Sequence, residues 1–114
     1  MYQITKKDII AINQEIGETG FFSNESSLDF ALSIAKHKKA WIQELSYLVR
    51  SLLIDHAFRD GNKRTALALI LTYFDNHAVE CDKQKMTYTV YMLSKKNVKS
   101  INKIMRAIEH GIIR

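Results

Sequence analysis

The chain has no proline, only four glycines and a single cysteine, Cys81. With glycine confined to positions 17, 20, 61 and 111, long stretches carry nothing that interrupts a helix. A lone thiol excludes an internal disulfide, and with it the stapled frameworks of small secreted domains. No apolar run reaches the ~20 residues of a membrane-spanning helix, so no membrane partner is expected. The opening residues, "MYQITKKDII", lack the apolar core and small-residue cleavage site of a secretory signal. Cytoplasm is therefore the expected location. Seventeen basic against twelve acidic residues give a net charge of +5. The cations are scattered, with small clusters at 36–39 and 94–96, and no aromatics interleave with them as in single-strand binders. Those clusters read as solvated faces, and nucleic acid is not the expected partner.

What is present describes an all-α bundle. A chain of 114 residues, 46% apolar and 25% charged, is expected to form one domain spanning 1–114 with a single core. The first helix begins at Thr5, with Asp8 placed for a capping box and Ile4 and Ile9 for a hydrophobic staple. Ile9, Ile12 and Ile16 form its inward stripe, and Gly17 and Gly20 end it. A loop over 17–27 carries Phe21 and Phe22. The second helix is expected to start near Ser26 or Ser27, with Leu28, Ala31, Leu32 and Ala35 on one face. The third runs from about Trp41 to His56 along the line Leu45, Val49, Leu52, which places His56 on the core-facing side at its end. A fourth begins around Asn62; Ala66, Leu67, Ile70, Leu71, Tyr73 and Phe74 cover enough of its surface to make it the central helix. Two more are expected over 83–95 and, capped by Ser100, over 101–110 along Ile101, Ile104, Met105 and Ile108. Residues 78–82 read as a short extended link.

Between the third and fourth helices lies "DHAFRDGNKRTALALI", residues 55–70. The first turn of a helix leaves backbone N–H groups without internal partners, and the helix dipole adds positive charge there. Gly61 lets an anion approach the backbone, Asn62 is a good N-cap, and Lys63 and Arg64 add two full charges. Cations at that end oppose the dipole, and a bound phosphate removes the conflict. Asp60 stands beside this pocket, where a carboxylate commonly holds magnesium together with phosphate oxygens. His56 is the candidate base, since an imidazole can accept a proton from a hydroxyl nucleophile. Phe58 is expected to plug into the core. Taken singly, each has a plainer reading: a core histidine, a turn aspartate, a cap, two solvated cations. Their coincidence in nine residues favours phosphate-group transfer from a nucleotide to a hydroxyl.

The run His56-Ala57-Phe58-Arg59-Asp60-Gly61-Asn62-Lys63-Arg64 resembles the Fic/Doc signature, His-x-Phe-x-Asp/Glu-Gly/Ala-Asn-Gly/Lys-Arg. The resemblance implies an all-α fold and an enzyme using ATP and magnesium. Most Fic members move AMP from ATP to protein hydroxyls. Doc, the toxin of the Phd–Doc toxin–antitoxin pair, phosphorylates elongation factor Tu. Carried over, His56 is the general base and Asp60 the magnesium ligand. Gly61, Asn62, Lys63 and Arg64 cradle and neutralise phosphates, and Gly20, Phe21 and Phe22 fall where the family has a flap that clamps the target segment. A loop with two half-buried aromatics explains that last segment equally well. AMP-transferring members have glycine where this chain has Lys63, and a second arginine where it has Leu67. Both departures imply the Doc branch, with the γ-phosphate presented to the nucleophile. Position 57, often proline in Fic proteins, is alanine. No glutamate is followed by glycine or asparagine, so the family's internal inhibitory motif, Ser/Thr-x-x-x-Glu-Gly/Asn, is absent. Restraint is then expected from a separate antitoxin polypeptide.

Three other functions compete with a Doc-like kinase. One is a Fic-type adenylyltransferase that tolerates Lys63 and Leu67. Another is a non-catalytic basic module, with a helix–turn–helix over 42–75, that binds nucleic acid or a protein partner; it leaves His56 and Asp60 without a purpose. The third, a metal-dependent phosphohydrolase, lacks additional His/Asp ligands near the loop. Cys81, Trp41, His37, His77 and His110 are assigned core or surface roles only.

Overall fold

The computed structural model describes residues 3–35, 37 and 40–113. Six helices follow one another: α1 (Lys6–Glu15), α2 (Glu25–Ala35), α3 (Trp41–Leu53), α4 (Asn62–Asn76), α5 (Lys83–Lys95) and α6 (Ile101–Glu109). The expected all-α bundle is what forms, with no strand among the described residues. The side chain of Ala35 and most of the 36–39 cluster lie outside the described residues.

Local chemistry sets most helix starts. Thr5 and Asp8 close the capping box that opens α1, with Ile4 buried beneath it. Asp82 and Ser100 cap α5 and α6 through the Lys85 and Lys103 amides. The second helix begins one residue before the serines expected to start it. Asn24 accepts the Ser27 amide at 3.3 Å, while the Ser27 hydroxyl is engaged with Ser51 at 2.8 Å.

The core is continuous and mainly aliphatic, with Phe58 and Phe74 fully buried in it. Leu45, Leu48, Val49 and Leu52 of α3 meet Leu28 of α2, Leu69 and Ile70 of α4, and Ile104 and Ile108 of α6. Each such side chain removed from water contributes ~1.5–3 kcal/mol. The central position is shared: α3 packs on α2, α4, α5 and α6, and α4 packs on α1, α3 and α5. Residues 78–82 do run as a link, and it gains a partner. Cys81 pairs antiparallel with Ile112, the Asp82 amide donates to Gly111 O, and the Ile113 amide donates to Glu80 O. Gly111 is required there, because a Cβ would lie 1.9 Å from Met86 Sδ. Trp41 and His77, assigned only core or surface roles from sequence, stack with ring centroids 4.3 Å apart.

Candidate active site

The third helix stops at Leu53, three residues short of the His56 end expected from its apolar line. Ile54 caps it, and the chain turns into the left-handed region at His56, with φ of 52°. His56 is therefore exposed on a loop and not core-facing. The turn exists to deliver its neighbours: Ala57 and Phe58 are fully buried, and the Ala57 amide donates to Ser51 O at 3.1 Å. Phe58 plugs the core as expected, stacking on Phe22 at 4.8 Å.

Asn62 has a different task from the one its position implies. Gly61 is the N-cap of α4, left-handed with φ of 78°, and Asn62 is the first helical residue. The Asn62 side chain turns back on the loop, accepting the Phe58 amide at 3.0 Å and donating to Phe58 O at 2.8 Å. This amide clamp closes the five-residue turn over 58–62. The first-turn amides of α4 keep no intrahelical partner and face out of the helix end.

His56, Asp60, Gly61, Asn62, Lys63 and Arg64 all line one cleft of about 520 Å³, within the usual ~300–1,000 Å³ of ligand sites. Glu18 and Arg59 border it too. Sequence reasoning passed over Glu18, whose only sign was a single acid between two glycines in the 17–20 turn. No acidic residue stands in the first turn of α4 itself. Glu18 supplies the missing anion: Arg64 donates to its Oε2 at 2.5 Å and to Ile16 O at 3.1 Å. Glu18 also crosses the glycine of the cradle, since a Cβ on Gly61 would lie 2.5 Å from Glu18 Cγ. A phosphate bound at Arg64 would compete with this carboxylate for the guanidinium.

The flap residues are brought to the loop but not into the cleft lining. Residues 21–24 run antiparallel to 57–59: the Ser23 and Asn24 amides donate to Ala57 O, and the Arg59 amide donates to Phe21 O at 3.0 Å. Gly20 donates its amide to Asn13 Oδ1. Phe22 is half-buried against Phe58, with Lys6 Nζ 5.4 Å from its ring centroid. Phe21 is 60% exposed, its ring 5.7 Å from the Arg59 guanidinium.

A glycine cradle, two first-turn cations and a neighbouring carboxylate fit a magnesium-bound nucleotide phosphate. Among the described residues no group of three or more His, Cys, Asp or Glu could hold a metal alone, so phosphate oxygens would complete any shell around Asp60. Among those residues, too, no helix is long and apolar enough to cross a membrane.

A glycine-capped helix start, with an imidazole, a carboxylate and two cations beside it, lines one cleft in an all-α frame. Comparison with protein families matches residues 3–74, well over half of the chain, to the Fic/DOC family. The chain belongs to that family, whose members are typically transferases acting on ATP with magnesium. No curated protein matches it.

Proposed function

We propose that the chain is a Doc-like protein kinase, the toxin of a toxin–antitoxin pair, acting as one domain on a target-protein hydroxyl. The observation that carries this reading is the placement of Lys63 and Leu67. Lys63 lines the cleft beside Gly61 and Arg64, whereas Leu67 packs against the core and leaves no cation one turn further along α4. Phosphate-binding charge is thereby concentrated at the first turn, next to His56.

In the proposed reaction His56 takes the proton of the target hydroxyl as its oxygen bonds to the γ-phosphorus. The bond between that phosphorus and the β–γ bridging oxygen breaks, and ADP leaves. Lys63, Arg64 and the first-turn amides offset charge on the phosphates. Asp60 would hold magnesium, which would neutralise phosphate charge. Arg64 engages the phosphates fully when Glu18 gives way. Elongation factor Tu is the proposed target, on the Doc resemblance. An antitoxin segment covering His56 and Arg64 is the proposed restraint, because the chain carries no internal inhibitory motif.

The test is intact-mass spectrometry of host proteins, elongation factor Tu included, after incubation with ATP and magnesium, comparing wild type with His56→Ala. A phosphate-sized addition that requires His56 supports the kinase. An AMP-sized addition moves the protein to the adenylyltransferase branch. No addition with wild type rejects both.

A further inference from the structure

Asn13 stands in the last turn of α1, only 1% exposed. The apolar pattern of α1 makes Ile9, Ile12 and Ile16 the inward line, yet the buried residues of the helix are Ile9 and Asn13. A leucine, which shares the branched outline, would favour the helix and the apolar core. A buried amide costs free energy unless every polar atom is bonded, so the bonds themselves identify its purpose.

Those bonds join three separate parts of the chain. Asn13 Nδ2 donates to Asp60 O at 3.0 Å and to Thr65 Oγ1 at 3.1 Å. Its Oδ1 accepts the Gly20 amide at 2.9 Å. Its own backbone carbonyl accepts the Glu18 amide at 3.1 Å. One side chain thus ties the 17–22 loop to the turn that carries Asp60 and to the first full turn of α4. No buried side-chain nitrogen or oxygen among the described residues lacks a partner, so this junction is fully satisfied.

We infer that Asn13 is a positioning residue. Its amide fixes the spacing between the 17–22 loop and the Asp60–Gly61 turn, and so sets how the loop stands over the phosphate cradle. The kinetic half of this inference rests on the transferase reading; the structural half does not. Backbone bonds from residues 21–24 to 57–59 hold the far end of the loop. Asn13 holds its near end, where Glu18 approaches Gly61.

Two variants of the full chain separate the bonds. Asn13→Leu keeps the branched outline of the side chain and removes all three side-chain bonds. Asn13→Asp keeps an acceptor for the Gly20 amide but turns a carboxylate oxygen towards the Asp60 carbonyl. Amide hydrogen exchange and ATP-dependent transfer are read on each. In Asn13→Leu the Gly20 amide should exchange at least about tenfold faster, while Leu48 and Ile70 amides in the core keep their protection. In Asn13→Asp the Gly20 amide should stay protected and the Thr65 amide, which donates to Gly61 O at 2.8 Å, should speed up. Both variants should lower kcat about tenfold or more with KM for ATP within about twofold, because Lys63, Arg64 and the first-turn amides remain.

Unchanged Gly20 exchange in Asn13→Leu overturns the inference. So does uniform acceleration that includes Leu48 and Ile70 in both variants, which would make Asn13 a support of the fold alone. If wild type transfers nothing, the transferase reading fails and the exchange pattern by itself decides the role of Asn13.

Discussion

Between residues 83 and 108 the chain carries seven cations (Lys83, Lys85, Lys95, Lys96, Lys99, Lys103 and Arg106) and no carboxylate. The cleft has fewer: Arg59, Lys63 and Arg64, with Asp60 and Glu18 among them. Yet the two regions are built differently. The cations of α5 and α6 project from regular helices, whose Thr87 and Thr89 hydroxyls bond their own helix carbonyls. The three ion pairs among the described residues all lie elsewhere. At the cleft the backbone is left-handed at His56 and Gly61, Asn62 clamps the turn, and Asn13 ties it to the neighbouring loop. Density of charge creates a field over a surface; placement of groups against an unpaired helix end creates a site. The family match, which ends at residue 74, covers the second kind of region and not the first.

The comparison sharpens most at His56. Replacing it with alanine should lower transfer by roughly 10²–10⁴-fold while ATP binding, followed by calorimetry, stays near the wild-type value. Lys63→Gly comes next. On the kinase reading it should cut phosphate transfer about tenfold or more and open the cradle to AMP transfer, read as the mass added to the target. Arg64→Ala and Lys96→Ala then set one region directly against the other. Loss of Arg64 removes charge-assisted bonds and should weaken ATP binding by about ten- to a hundredfold, whereas Lys96→Ala should change it less than about twofold. Equal effects would mean that field and not placement governs binding. Glu18→Gln should act in the opposite sense, tightening ATP binding by roughly three- to tenfold, because Arg64 no longer exchanges one carboxylate for a phosphate.

Sequence periodicity carried the bundle because helix spacing, capping residues and scarce glycine all agree along this chain. It located α1, α5 and α6 to within a residue, where Thr5, Asp82 and Ser100 offer side-chain caps. It overran at α3, since the line Leu45, Val49, Leu52, His56 has the right spacing but nothing in it signals the left-handed turn at His56. The reason for that turn is tertiary: Phe58 has to reach Phe22. The nine-residue run marked the cleft, because chemistry-bearing side chains adjacent in sequence stay adjacent in a turn. Glu18 and Asn13 were not legible, because they reach the cleft across 46 or 47 positions and look, in sequence, like a loop acid and a helix amide. Asn62 was seen as a cap because that type at a helix start usually is one; Gly61, already left-handed, took the place and left its amide for Phe58.

The smallest effect expected concerns a carboxylate that belongs to neither region. Glu44 stands in the first turn of α3, half-buried, and burial pushes its carboxyl above the usual glutamate range. Burial and, secondarily, the Glu44 charge push the Tyr73 hydroxyl up as well. A carboxyl whose folded pKa is raised binds its proton more tightly in the native state than in the unfolded chain. Its contribution to stability is therefore complete below the unfolded value and is lost as pH rises through the raised folded one. At pH 7 the ionised Glu44 works against the fold. Glu44→Gln should raise the melting temperature there by no more than about 2 °C, since solvent screens a partly exposed group. The gap should narrow as pH falls through the raised native value and close below about 4, where the carboxyl of the unfolded chain is protonated as well. Glu44 does not line the cleft, so transfer should be unchanged at every pH where both proteins are folded. A variant that is less stable at pH 7, or a gap that widens in acid, would mean that an attractive partner and not burial dominates at this carboxyl.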